Sequence, residues 1–96
     1  MPYTITFLKL RDYAEWKSGF DVEQGSAIRK DSGMKSYQIY QTEQNPNEVI
    51  ILCEWDNLDD ARKFLQSEEL QKANQQSGVI EMGDVYFLKE VEKASV

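Results

Sequence analysis

MKSYQIYQTEQNPNEVIILCEW, residues 34–55, reads as two strands joined by a reversal of the chain. Residues 34–42 carry Tyr37, Ile39 and Tyr40, side chains that suit a pleated, half-buried surface. Asn45-Pro46-Asn47 then supplies turn chemistry, because proline presets φ and asparagine bonds its own neighbouring backbone. Residues 48–55 return with Val49-Ile50-Ile51-Leu52-Cys53, apolar on both sides of the pleat. A strand of that kind lies inside a sheet covered on both faces.

Outward from this hairpin the pattern repeats in both directions. Residues 3–10 mix β-branched and aromatic side chains without glycine and read as a first strand. Asp12 offers an N-cap oxygen, and Glu15 three positions on completes a capping-box arrangement ahead of Trp16. Tyr13, Trp16, Phe20 and Ala27-Ile28 recur at spacings near three, four and seven, along one buried stripe. Gly19 and Gly25 weaken this helix, so a kink or break is expected near Gly25, with an end around Lys30 and Ser32-Gly33 as the stop.

Downstream, Asn57 caps a helix over 58–66, and Ser67 with Glu68 and Glu69 recaps a further stretch to about residue 76. Ala61, Phe64, Leu65 and Leu70 form its apolar side. Gly78 suits a left-handed residue past the helix end, residues 85–91 read as the last strand, and the tail from 92 is frayed. The order βαββαβ predicts an α+β, ferredoxin-like fold: a four-stranded antiparallel sheet with both helices on one face.

Such a sheet leaves its second face bare, yet the strands are apolar on both sides. Ile5 and Phe7 oppose Leu8 and Leu10, Ile51 opposes Ile50 and Leu52, and Phe87 opposes Tyr86 and Leu88. A twofold partner covers such a patch most simply, since an isologous contact buries one surface against itself. A homodimer is expected.

Composition narrows the chemistry. Ninety-six residues suit one domain, 1–96, and no apolar run reaches the roughly 20 residues of a membrane helix. The start, Met1-Pro2-Tyr3-Thr4-Ile5, has no signal-peptide pattern, and the single cysteine, Cys53, cannot form an internal disulfide. A cytoplasmic location without membrane attachment is expected. A net charge of −6 argues against a nucleic-acid partner. The absence of histidine excludes Ser/His/Asp and Cys/His catalysis and removes the commonest metal ligand, so no metal is expected.

Asp12-Tyr13, Trp16, Phe20, Arg29 and Gly33, then Asn45-Pro46-Asn47-Glu48-Val49, form one part of a recognisable pattern. Glu54-Trp55-Asp56-Asn57-Leu58-Asp59-Asp60-Ala61-Arg62-Lys63-Phe64, Ser67, Leu70, Gly78-Val79 and Val85-Tyr86-Phe87-Leu88 complete it. The whole resembles the antibiotic biosynthesis monooxygenase family of the dimeric α/β-barrel superfamily. The resemblance implies a homodimer whose two sheets pack face to face as a barrel, with a cavity in each subunit between helices and sheet. Its members include cofactor-free oxygenases of aromatic polyketides, quinol oxygenases and haem-degrading enzymes. The haem-degrading branch has a ligand histidine and a tryptophan ten positions earlier, where this chain has Asn74 and Phe64, so haem degradation in that manner is set aside.

Within the resemblance, Trp55, Tyr37, Tyr86 and Arg29 are the candidates to line the cavity or steady a phenolate, with no cofactor required. Plainer roles compete with each: core packing for Trp55, a barrel rim for Tyr37 and Tyr86, a helix C-terminal charge for Arg29. Asp59 and Asp60 fall in a helix's first turn, where acids are favoured electrostatically, and receive no catalytic role. Two functions stay open: a homodimeric domain binding a small hydrophobic or aromatic molecule, and a cofactor-free oxygenase or isomerase acting on an aromatic or polyketide-like substrate.

Overall fold

The computed structural model describes residues 2–21, 27 and 29–96. It runs β1 (Pro2–Leu10), α1 (Tyr13–Asp21), β2 (Met34–Gln41), β3 (Glu48–Trp55), α2 (Leu58–Leu65), α3 (Glu68–Gln76) and β4 (Val79–Lys89). The strands form an antiparallel sheet in the order β2-β3-β1-β4, the ferredoxin-like arrangement.

Local chemistry sets the boundaries. Asp12 Oδ2 accepts the Glu15 N–H at 3.0 Å at the start of α1. Glu15 turns its carboxylate to Arg11 instead of back to the Asp12 N–H, so half of the expected capping box forms. Asn57 Oδ1 accepts the Asp60 N–H at 2.9 Å, and Ser67 Oγ accepts the Leu70 N–H at 3.3 Å, starting α2 and α3. Gly33 and Gly78 take φ of 93° and 87°, the left-handed region that ends helical segments without a Cβ clash. Residues 29–31 are helical ahead of Gly33, whereas the expected break at Gly25 and the burial of Ile28 lie outside the described residues. Ala27, expected on the buried stripe, is exposed.

In the β2–β3 turn, Asn45 Oδ1 accepts the Asn47 N–H at 2.9 Å. Asn47 also holds the entry to α1: its Oδ1 accepts the Tyr13 N–H at 2.8 Å, and its carbonyl accepts the Leu10 N–H at 2.8 Å. The hairpin and the first helix are thereby tied together.

Cross-strand pairing sorts the side chains into two faces. Thr4, Thr6 and Leu8 sit opposite Cys53, Ile51 and Val49, on the side the helices cover. Ile5 and Phe7 sit opposite Leu52 and Ile50, on the other side, beside Tyr40 and Tyr86. On the helix side, Leu8, Leu10, Trp16 and Val49 form one buried cluster and Cys53, Trp55 and Ala61 another. Tyr13, Trp16 and Phe20 follow one another along α1 with ring centroids 5.9 and 5.0 Å apart.

The last strand differs from expectation, starting at Val79 and ending at Lys89 rather than covering 85–91. Gly83-Asp84 has the composition of a break, but the strand passes through it with a register shift: Met82 pairs with Leu8, and Val85, three residues on, pairs with Thr6. Such a bulge keeps two strands paired while accommodating an additional residue. Glycine fits there because a Cβ on Gly83 would sit 3.2 Å from both Phe7 Cβ and the Phe7 carbonyl oxygen. Among the described residues, no helix is long and apolar enough to cross a membrane.

Candidate functional site

The helix-covered face is not filled. β1 contributes Thr4 and Thr6 where larger apolar side chains would close the space, and α3 contributes Leu70, Ala73 and Asn74 at helical spacing. Gly19 of α1 and Ser77 after α3 are also small. These residues leave a cavity of about 110 Å³ between sheet and helices, several times the roughly 15 Å³ that one ordered water needs. Its walls are mainly apolar: Leu8, Trp16, Phe20, Ile51, Trp55 and Phe64 all line it.

Arg29 brings a positive charge to this apolar wall. Its guanidinium carbon lies 3.7 Å from the centroid of the Phe20 ring and 5.5 Å from that of Tyr37, and Nη2 donates to the Phe20 carbonyl at 2.8 Å. The Phe20 and Tyr37 rings meet edge to face at 5.1 Å, so the two aromatics and the cation form one unit. Burial holds the guanidinium below its ordinary pKa. Tyr37 is placed by its pairing opposite Cys53, which turns it to the cavity side.

At the other wall, Trp55 stacks on Phe64 with centroids 5.6 Å apart, and its indole N–H donates to Thr4 Oγ1 at 2.9 Å. Cys53 shares the cavity side of β3 with Ile51 and Trp55. Burial pushes its thiol up to about 11, against which a hydrogen bond with Thr4 and the charge of Arg29 pull weakly. It is therefore a neutral thiol near neutral pH. Glu69 contributes a carboxylate from the first turn of α3 and is exposed. Among the described residues, no three His, Cys, Asp or Glu side chains cluster in a way that could hold a metal ion.

Of the four candidate residues, Arg29, Tyr37 and Trp55 line the cavity, and Tyr86 does not. Tyr86 pairs with Ile5 on the opposite face, packs edge to face on Phe7 at 6.1 Å and donates to Asp84 Oδ2 at 3.3 Å. The correction has a specific cause. Strict alternation from Met82 would turn Tyr86 toward the helices, but the bulge at Gly83-Asp84 reverses the phase of everything after it.

Sequence reasoning also missed Thr6, Phe20, Glu69 and Asn74 as lining residues. Asn74 had a visible signal, a polar residue four positions after Leu70 on an otherwise apolar helix side. Asn74 and Phe64 both line the cavity.

The model of the antibiotic biosynthesis monooxygenase family matches residues 13–76. A candidate antibiotic biosynthesis monooxygenase from Deinococcus radiodurans superposes with a TM-score of 0.72 at 18% identity, covering 100% of this chain and 98% of that one. One from Bordetella bronchiseptica reaches 0.71 at 15% identity, covering 95% of this chain and 97% of its own. SnoaB, a cofactor-independent oxygenase from Streptomyces nogalater, reaches 0.72 at 13% identity, covering 96% and 93%. These likenesses bear on the fold. No curated protein matches the chain in sequence. Because the family model spans more than half of the chain, from the start of α1 to the end of α3, the chain belongs to the antibiotic biosynthesis monooxygenase family.

Proposed function

We propose that residues 1–96 act as one domain that pairs with a second copy and binds a small aromatic or polyketide-like molecule in each subunit. The observation that carries the binding reading is the cavity: about 110 Å³, apolar over most of its wall, with few polar groups at defined places. Small-molecule sites have this composition, since apolar walls supply affinity and a few polar groups supply orientation. The pairing reading rests on the open sheet face, where Ile5, Phe7, Ile50 and Leu52 are half-buried and Tyr40 and Tyr86 are 50% and 51% exposed. A thermal-shift screen against phenols and aromatic polyketides tests the binding reading. Hits that raise the melting temperature support it, and a screen without any opposes it.

A second reading, cofactor-independent oxygenase, is favoured by Arg29, Tyr37 and Asn74 facing one apolar space. In such chemistry an electron-rich substrate anion reduces oxygen itself, and the protein contributes a dry pocket and hydrogen bonds to the developing charge. SnoaB, of the same fold, is an oxygenase of this cofactor-independent kind. Oxygen-electrode assays on the screening hits test it. Consumption that depends on both protein and compound supports catalysis, and tight binding without consumption leaves the protein a binding domain.

A further inference from the structure

Arg29 differs from the other cations with assigned partners. Lys9, Arg11, Lys17, Lys35 and Arg62 each pair with a carboxylate, whereas among the described residues no carboxylate lies within 4.0 Å of the Arg29 guanidinium. One hydrogen bond to the Phe20 carbonyl, an interaction with the Tyr37 side chain and the face of the Phe20 ring do not use all of its five N–H donors. Asp21 and Tyr37 act on this half-withdrawn cation from nearby, yet burial outweighs them and holds it below its ordinary pKa, so a counter-charge brought directly to the guanidinium would stabilise it. Glu69 shares the lining but is exposed, and no contact joins it to Arg29.

We infer that the cavity selects its occupant as an anion, seating the negative group at Arg29 beside Tyr37 and the flat apolar body toward Trp55 and Phe64. This rests on the binding reading above and adds to it the charge and orientation of the ligand. The geometry suits a carboxylate, phenolate or enolate, because a planar guanidinium matches two oxygens and strengthens as the surroundings lose water. Contact with the Phe20 ring at 3.7 Å already limits the freedom of the guanidinium, so less side-chain freedom is lost on binding. Arg29 is on this account a specificity-determining residue.

Two probes of equal shape separate charge from fit: naphthoate, an anion, and naphthamide, its neutral counterpart. The indole N–H signals of Trp16 and Trp55 report both, since these two tryptophans line the cavity and are the only two in the chain. At neutral pH, naphthoate is expected to bind roughly tenfold or more tightly than naphthamide, the size of one charge-assisted contact. Arg29→Met is expected to remove that preference while naphthamide still binds, and Arg29→Lys to keep part of it. Equal affinity of the two probes for the unmodified protein overturns the inference and leaves the binding reading intact. Should neither probe move an indole signal, the binding reading fails and takes this inference with it.

Discussion

The indole N–H of Trp55 donates to the Thr4 hydroxyl at 2.9 Å, and each of these residues is 1% exposed. The bond crosses from the last residue of β3 to a position near the start of β1 and holds the large ring against Ala61 and Phe64. Without it, a buried donor in an apolar wall has no water to turn to. Replacing Thr4 by Val keeps the shape and removes the acceptor, so stability is expected to fall by about 1–3 kcal/mol. Urea denaturation monitored by tryptophan fluorescence measures it, and an unchanged midpoint would show that the indole finds another acceptor.

Leu52 and Ile51 are neighbours on β3 that point to opposite faces. Light scattering at micromolar concentration is expected to give a mass near twice 11.2 kDa for the unmodified chain. Leu52→Asp places a charge on the open face and is expected to yield folded monomers, because an unpaired charge at a buried contact is costly. Ile51→Asp instead strikes the cavity wall and is expected to lower the melting temperature. A Leu52→Asp protein that still sediments as a pair would remove this face from the interface.

Cys53 sets a test at alkaline pH. Burial disfavours the thiolate and pushes the thiol up to about 11 in the folded chain, above the 9.0 of an ordinary cysteine. The native state therefore holds the proton more tightly than the unfolded state. The associated stability is complete below pH 9.0 and is lost as pH rises toward 11, by at most roughly 2–3 kcal/mol. Other groups titrate in the same range, so the comparison is with Cys53→Ala, whose decline over this window is expected to be shallower. Parallel curves for the two proteins would contradict it.

Gly33 has a φ of 93°, and a Cβ there would lie 2.5 Å from Asp60 Oδ2. Gly33→Ala is expected to cost about 1–3 kcal/mol, combining left-handed backbone strain with displacement of the Asp60 side chain. Circular dichroism during thermal melting would reveal the cost, and a melting temperature equal to that of the unmodified chain would show that the turn relaxes.

The order of elements was legible from sequence because each signal was local. Asn57 and Ser67 bond to N–H groups three residues away, Gly33 and Gly78 relieve their own backbones, and the runs of β-branched, aromatic and aliphatic side chains in β1 and β3 mark the strands themselves. Trp55, Tyr37 and Arg29 could be named as cavity candidates from composition and family likeness. What only the tertiary structure decided was phase and juxtaposition. One additional residue at Gly83-Asp84 turns Tyr86 away from the cavity, an effect no spacing rule reveals, because the bulge depends on where β1 and β4 meet. The cavity itself arises where Thr4, Thr6, Ala73 and Ser77, distant in sequence, leave the same space unfilled, and where Arg29 comes to rest on Phe20. Packing between segments far apart in the chain settles such volumes, and local propensity carries no record of them.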